Sequence, residues 1–318
     1  MTRSRLDSHV NVNVYRPAMS ESSRENRDHT LAVLGLGPMG RALAAAAAGD
    51  GRRLVIWNRT ADKAADLVTR GATLAPTPAA AVHRASTVVC CVLNYDVVRD
   101  VLRTVPDWDA TTLINLTSGH PGEARALAAW AGERGVSYLD GAILTPAPTI
   151  GTPAASILYS GSRTVFDRTS ALLTLLSGTT QFLGEDPGAA AGFEMALLDL
   201  FTTAVGGLAH AFSLARAESI APSTFAPFAQ GIGGLLAELT TRFADQLEAN
   251  HFPGTTSNIA SASSAIAHVI EAAARHDIDV SLLRALQSVT DRALANGYGN
   301  NGYARLTHVI GLPAALAE

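Results

Sequence analysis

LAVLGLGPMGRALAAAAA, residues 31–48, is the stretch whose reading decides the fold. Leu31–Leu34 is a short apolar β run, and it feeds directly into Gly35-Leu36-Gly37-Pro38-Met39-Gly40 and then an alanine-rich helix from Arg41 to Ala48. A GxGxxG pattern alone is weak; between a strand and a helix it describes a dinucleotide-binding turn. Gly35 permits the tight turn, Gly37 lets backbone approach a pyrophosphate, and Gly40 lets helix pack on strand. The phosphates then meet the positive end of the helix. Gly35, Gly37, Pro38, Met39 and Gly40 are therefore assigned to cofactor binding.

The next strand, Leu54–Trp57, ends where an NAD-binding fold offers an acidic residue to the adenosine ribose. Here the chain reads Asn58-Arg59-Thr60, with Lys63 one turn into the following helix. An acid would repel a 2′-phosphate, whereas a guanidinium, a hydroxyl and an ammonium attract it. The expected cofactor is NADPH rather than NADH, held by Asn58, Arg59, Thr60 and Lys63; the plainer reading is an exposed arginine on a loop.

Strands and helices then alternate: helix 61–70, strand Thr73–Leu74, helix 78–84, strand Val88–Val92, helix 96–103, strand Thr112–Leu116, helix 121–134, and strands 136–139 and 156–160. That order predicts an α/β fold with a doubly wound, mostly parallel sheet and ligands beyond the strand carboxyl ends. Leu93 and Asn94 after one strand, and Asn115, Thr117 and Ser118 after the next, are the positions from which nicotinamide and substrate would be held.

Residues 188–220, GAAAGFEMALLDLFTTAVGGLAHAFSLARAESI, contain no proline and are apolar on nearly every face. This predicts a long helix buried along most of its length. Glu194 and Asp199 interrupt it, and a charge so placed costs several kcal/mol unless paired, protonated or facing a wet cleft. Beyond it the pattern is wholly helical. Phe225, Phe228, Ile232, Leu235, Leu236, Leu239, Phe243 and Leu247 keep helical spacing, further helices read at 257–275, 280–295 and 301–310, and Pro253-Gly254 and Asn296-Gly297 mark turns. The expected organisation is an extension over 1–29, a dinucleotide-binding domain over 30–186, a connecting helix over 187–220 and an all-helical domain over 221–318.

A chain of 318 residues suggests two cores rather than one. Its net charge of -4 and pI near 6.1 leave no basic footprint for nucleic acid and no polybasic membrane patch. Cys90 and Cys91 are the only cysteines and cannot form a disulfide framework, which fits a reducing cytoplasm. No stretch reads as a signal peptide or membrane span, because the long helix carries Glu194, Asp199, His210 and Arg216. The polar, aperiodic residues 1–29 read as disordered, and Met19 could be the natural start. No His/Cys/Asp cluster has metal-ligand spacing, so no metal is expected.

Taken together, GLGPMG (35–40), WNRT with Lys63, NLTSG (115–119), LDGAILTPAPTIGTPAASILYSG (139–161) and the long helix resemble the imine reductases and reductive aminases of the β-hydroxyacid dehydrogenase group. NLTSG together with LYSG is the most specific part. The resemblance implies an NADPH-dependent homodimer in which a long helix joins a Rossmann domain to a helical domain entwined with its partner. It implies an active site between the Rossmann domain of one subunit and the helical domain of the other. It also implies that Arg59, Thr60 and Lys63 meet the 2′-phosphate while Asn115 and Thr117 lie near the nicotinamide.

In β-hydroxyacid dehydrogenases the sixth residue after the glycine opening the long helix is a catalytic lysine, followed four later by asparagine. Those positions here are Glu194 and Leu198. Imine reductases usually carry aspartate or tyrosine there, so Glu194 departs from the aspartate form by one methylene. The resemblance thus implies hydride reduction of a C=N bond, with an imine, or a ketone plus an amine, as substrate. Glu194 would serve as a neutral acid, its proton retained by apolar neighbours Phe193, Met195 and Leu197, or as a carboxylate beside a preformed iminium.

Asp199, five residues on, lies about 140° around the helix and is expected in a salt bridge or subunit contact. His210 reads as a hydrogen-bonded core histidine, Gly206-Gly207 as close helix packing, Tyr159 as packed, and His120 as a residue that could line the cleft. Two competitors stand beside this reading: a β-hydroxyacid dehydrogenase, disfavoured by the missing lysine, and an NADPH-binding protein without turnover.

Overall fold

The structure, a computed structural model, describes Arg27 and residues 29–48, 51–108 and 111–311. The expected disordered extension falls almost wholly outside those residues. Arg27 and His29 are the exceptions: Arg27 donates to the Ala85 carbonyl (3.1 Å) and the Thr111 hydroxyl (2.7 Å), and the His29 carbonyl accepts from Arg53 N.

Two compact units divide the chain, Met1–Leu198 and Asp199–Glu318. The first runs β1 (Thr30–Leu34), α1 (Pro38–Ala47), β2 (Arg53–Trp57), a 3-10 turn (Ala61–Ala64), α2 (Ala65–Thr69), β3 (Thr73–Leu74), α3 (Pro78–Val82), β4 (Thr87–Cys90) and α4 (Tyr95–Arg103). It continues through β5 (Thr112–Asn115), α5 (Pro121–Gly132), β6 (Ser137–Ile143), a 3-10 turn (Ala147–Thr149), β7 (Ser156–Gly161), α6 (Arg163–Leu176) and β8 (Thr179–Phe182) to the start of α7 (Ala189–Ala217). These strands form one sheet in the order β3-β2-β1-β4-β5-β6-β7-β8. All neighbours pair in parallel except β6 and β7.

Both sheet faces are covered, and β1 shows why its run is continuously apolar. Leu31 and Val33 enter one core, with Leu43, Leu172 and Leu173; Ala32 and Leu34 enter the other, with Val98, Leu102 and Leu127. The turn after β1 closes because Gly35 has φ +100° and Gly40 packs on its carbonyl, where a methyl would lie 2.1 Å from the Gly35 oxygen.

The sequence reading overlooked α6 and β8 and cut β6 short. The α6 signal was present: Ser162 caps it through Val165 N, and Val165, Thr169, Leu172, Leu173 and Leu176 are buried at helical spacing. The edge strand β8, TTQF, carries no such signal. The strand read over 136–139 runs on through Asp140 and Gly141 to Ile143. Tyr138 and Tyr95 hydroxyls satisfy Asp140, and Leu116 and Tyr159 pack where a Gly141 side chain would stand.

The beginning of α7 is pinned to the sheet. Ser160 on β7 donates to the Pro187 carbonyl (3.1 Å) and accepts from Ala190 N (3.0 Å). Arg125 forks onto Asp186 at 2.8 and 2.7 Å, and Asp186 also accepts from Gly188 N. By length and composition α7 could cross a membrane, but these contacts bind its first turn to the sheet instead. Its expected burial holds at few positions: Ala190, Ala191, Glu194 and Ala215 are buried, whereas Phe193, Leu197, Leu200, Phe201, Val205 and Leu208 are exposed. Among the described residues nothing covers that face.

The second unit holds the rest of α7, α8 (Pro222–Glu248), α9 (Ile259–Ala274), α10 (Ser281–Ala295), a 3-10 turn (Tyr303–Leu306) and α11 (Thr307–Ile310). The helix expected over 301–310 is thus a 3-10 turn followed by one α turn. His276 and Glu218 pair at 2.7 Å within this unit. A methyl on Gly206 would meet Leu282 at ordinary contact distance and one on Gly207 would meet nothing within 4 Å, so among the described residues nothing packs tightly on this pair.

Ser160→Ala removes the anchor of α7 and leaves Ala190 N–H without its acceptor. The expected cost is about 1 kcal/mol, or a thermal midpoint lower by about 2–4 °C, read by calorimetry.

Candidate functional site

The site is assembled where β1, β2, β4 and β5 end, with α7 entering beside them. Its glycine turn tests whether a dinucleotide would fit. A methyl on Gly35 would lie 2.1 Å from the Cys91 carbonyl oxygen and one on Gly40 2.1 Å from the Gly35 oxygen, so the protein itself requires both glycines. A methyl on Gly37 would meet no atom within 4 Å. That bare backbone, at the N-terminus of α1, fits a dinucleotide phosphate. Pro38 is exposed and occupies the first turn of α1, while Met39 packs partly against the core.

Across the turn, Asn58 at the end of β2 accepts from Leu36 N (2.9 Å) and donates to the Thr60 carbonyl (2.8 Å). It couples the glycine turn to the loop that follows β2. Arg59, Thr60 and Lys63 are exposed on that loop. Beside them Trp57, Arg59, Leu74, Ala75 and Pro76 line a cavity of about 440 Å³, wide enough for a planar base. Arg59 on its lining, with Lys63 beyond it on the same loop beside Asp62, suits an additional phosphate.

At the end of β4, Leu93 exposes 83% of its surface and Asn94 caps α4, accepting from Val97 N (3.0 Å). At the end of β5 the structure separates residues that the sequence reading had grouped. Asn115 is fully buried and donates from Nδ2 to Asp140 (3.2 Å). Thr117 is buried and accepts from Val92 N (3.1 Å). These two fix the floor of the site. Ser118 alone of the three is exposed, and its hydroxyl donates to Glu194 Oε1 at 2.5 Å.

Glu194 is only 6% exposed. Burial lifts its carboxyl above the ordinary value, and the Ser118 donor offsets part of that rise. Its neighbour Cys91 is a thiol pushed up to about 12, by burial first and by the charge of Glu194 second. Cys91 is therefore neither nucleophile nor ligand at neutral pH. The arrangement offers a desolvated carboxyl able to hold or release a proton, next to a bare glycine turn.

Several sequence candidates lie elsewhere. His120 is exposed and caps α5, accepting from Gly122 N (3.1 Å) while Glu123 closes the capping box. Asp199 is exposed, with no ion partner among the described residues, so the expected salt bridge is not formed within the chain. His210 is half-buried, but its Nε2 finds no hydrogen-bond partner there, contrary to the expected bonded core histidine. Tyr159 packs against Phe166, as expected, with its hydroxyl unpartnered.

Asp140 is the residue that sequence reasoning missed. It is 1% exposed, in mid-strand, and accepts from Tyr95, Tyr138 and Asn115. A carboxylate inside the run YLDGAI was the available signal, obscured by its turn-like neighbour Gly141.

Comparison with known proteins follows this geometry. Residues 186–311 match the family described as NADPH-dependent reductive aminase-like, C-terminal domain, and residues 30–184 match the NAD binding domain of 6-phosphogluconate dehydrogenase. The NADPH-dependent reductive aminase of Aspergillus oryzae is 31% identical over 288 residues, 87% of this chain and 95% of that protein. An imine reductase from Myxococcus stipitatus in complex with NADP+ superposes with a TM-score of 0.85 at 32% identity, covering 89% of this chain and all of the other. A reductive aminase from Aspergillus terreus, in complex with NADPH and ethyl-5-oxohexanoate, gives 0.84 at 30% identity with the same coverage.

The open space at Gly37 yields a separation of binding from folding. Gly37→Val should lower dinucleotide affinity by about tenfold or more while leaving the thermal midpoint unchanged. Unaltered affinity in a fluorescence titration would remove the cradle from the site.

Proposed function

Because the chain belongs to the imine reductase and reductive aminase family, we propose that it reduces C=N bonds with NADPH, with Glu194 handling the proton. It is an oxidoreductase acting on the C=N/CH–NH couple. The carrying observation is a buried carboxyl, bonded to the exposed Ser118 hydroxyl, at the position where alcohol-oxidising relatives carry lysine.

The bound dinucleotide supplies a hydride to carbon. The nitrogen must gain a proton, since a protonated iminium is a far better hydride acceptor than a neutral imine. Glu194 retains its proton to higher pH than an exposed carboxyl because burial disfavours its anion. Ser118 fixes the direction of one carboxyl oxygen. After transfer the resulting carboxylate stands beside the cationic nitrogen and lowers its energy. Arg59, Thr60 and Lys63 would hold the 2′-phosphate, the glycine turn would hold the pyrophosphate, and Leu93 and Asn94 would lie toward the nicotinamide. Asn115 and Thr117 shape that floor from within the sheet.

Cyclic imines are the proposed substrates, and reductive amination of a ketone with an amine is a further proposed activity. Its support is that related structures hold NADPH with ethyl-5-oxohexanoate, or with cyclohexanone and allyl amine. The β-hydroxyacid dehydrogenase alternative lacks its lysine: a carboxyl cannot stabilise a developing alkoxide as an ammonium does. The two buried cysteines, both free, support a cytoplasmic location.

A homodimer with entwined helical domains is proposed on the apolar faces that one chain leaves uncovered. Phe201 is 65% exposed on α7, and Phe228 and Ile232 on α8 are 73% and 68% exposed. These rows are continuous enough to bury against a second copy, which would bring a partner's helical domain to the site.

The test of function compares oxidation of NADPH and NADH with a cyclic imine, a ketone plus amine, and a β-keto acid, for the wild type and Glu194→Gln. NADPH turnover with the imine should exceed the others, and the variant should lose about 10²–10⁴-fold in kcat while keeping NADPH affinity. Full activity in the variant would refute the role of Glu194; NADPH binding without turnover on every substrate would favour the non-catalytic reading. For the dimer, Phe228→Glu with Ile232→Glu should halve the mass measured by light scattering. A wild type already monomeric would contradict it.

A further inference from the structure

Gly119 ends the NLTSG run, and its backbone does not by itself call for glycine, since its φ lies outside the left-handed region. What excludes a side chain is a neighbour. A methyl on Gly119 would stand 2.4 and 2.5 Å from Cδ2 and Cε2 of the Tyr95 ring and 2.7 Å from Glu123 Oε2. The flat ring of Tyr95 therefore occupies the place of the missing side chain, and the loop between β5 and α5 rests on it.

Tyr95 is the first residue of α4, directly after the Asn94 cap, and is 1% exposed. It belongs to the core that holds Val98, Leu102 and Leu127. Its hydroxyl donates to Asp140 Oδ1 at 2.7 Å, and the same oxygen accepts from the Tyr138 hydroxyl (2.6 Å) and Asn115 Nδ2 (3.2 Å). A ring gripped by the core along its edge and by a buried carboxyl at its tip resists displacement. The loop on the other side is held less firmly. Ser118 and His120 are exposed, and the Glu123 carboxylate that accepts from His120 N (3.1 Å) belongs to a flexible side chain. Of the two surfaces that meet at Gly119, the ring is the fixed one and the loop the yielding one.

We propose that Tyr95 is a positioning residue for C=N reduction: held by Asp140, its ring sets the height of the Ser118 loop and so the aim of the Glu194 carboxyl. The inference rests on the assignment of Glu194 made above and adds the element that backs its donor. Every link is a contact. Asp140 bonds the Tyr95 hydroxyl, the ring lies against the Gly119 backbone, and Ser118, the adjoining residue, donates to Glu194 Oε1 at 2.5 Å. A loop shift of about 1 Å would stretch that last bond to the limit of hydrogen bonding, and misplacement on this scale costs about 10²-fold in rate.

The experiment measures kcat and KM for a cyclic imine, with NADPH affinity by fluorescence, for Gly119→Ala and Tyr95→Phe, each alone and combined with Glu194→Gln. Gly119→Ala sets a methyl against the ring and forces the loop outward; Tyr95→Phe keeps the ring and releases its tip from Asp140. Alone, Gly119→Ala should lower kcat by about 10–10²-fold and Tyr95→Phe by about threefold or more, with NADPH affinity held within about twofold. Combined with Glu194→Gln, both losses should shrink to less than about twofold, because the Ser118 donor then has no proton carrier to aim. Undiminished kcat in either single variant overturns the inference. So do losses of equal size in the two backgrounds, which would reduce the contact to general packing. Should Gly119→Ala not fold, Tyr95→Phe decides by the same comparison. Wild-type kcat in Glu194→Gln alone is a separate result: it refutes the assignment of Glu194, and this role of Tyr95 with it.

Discussion

A carboxyl group removed from water must find a donor or keep its proton, and the position of Glu194 makes the protein do both. The helix that carries it is apolar on every side, so nothing on α7 itself can satisfy the group. The donor comes from the loop after β5, through Ser118. That bond is useful only if α7 enters at a fixed height over the sheet. Its first turn is accordingly tied down twice, by Ser160 from β7 and by the Arg125 fork on Asp186. The exposed fork adds little stability by itself; its effect is to fix where the helix begins.

The glycine turn divides along a similar line between what the fold demands and what a ligand demands. Gly35 and Gly40 are required because backbone atoms of the same chain fill the space a side chain would need. Gly37 faces open space, and nothing in folding forbids a larger residue there. Its place at the N-terminus of α1, beside the strand ends, is what suits that open backbone to a phosphate. This distinction cannot be drawn from GxGxxG as a string.

The doubly wound sheet was legible because its signals are local. Apolar runs, helical periodicity and the turn residues between them survive without knowledge of the partner strand. The loop proposed for the 2′-phosphate is likewise local, since Arg59, Thr60 and Lys63 follow one strand end. What escaped reading depends on residues distant in sequence. Asp140 passes for a turn residue until Tyr95 from α4 and Asn115 from β5 meet it, and Gly141 does so until Leu116 and Tyr159 crowd it. Asn115 and Thr117 were grouped with Ser118 by adjacency, whereas the pleat and the following loop send only Ser118 outward. The burial expected along α7 failed at Phe193 and beyond because composition says that a face is apolar and not what covers it.

The charge at the helix position six residues after Gly188 constrains the reaction more than any other single feature. An ammonium there would favour a developing alkoxide and resist a cationic nitrogen; a carboxyl does the opposite. In the proposed role of Glu194, burial disfavours its anion and a single side-chain donor, Ser118, directs one of its oxygens, so the group is held where it can exchange a proton with a nitrogen rather than support an alkoxide.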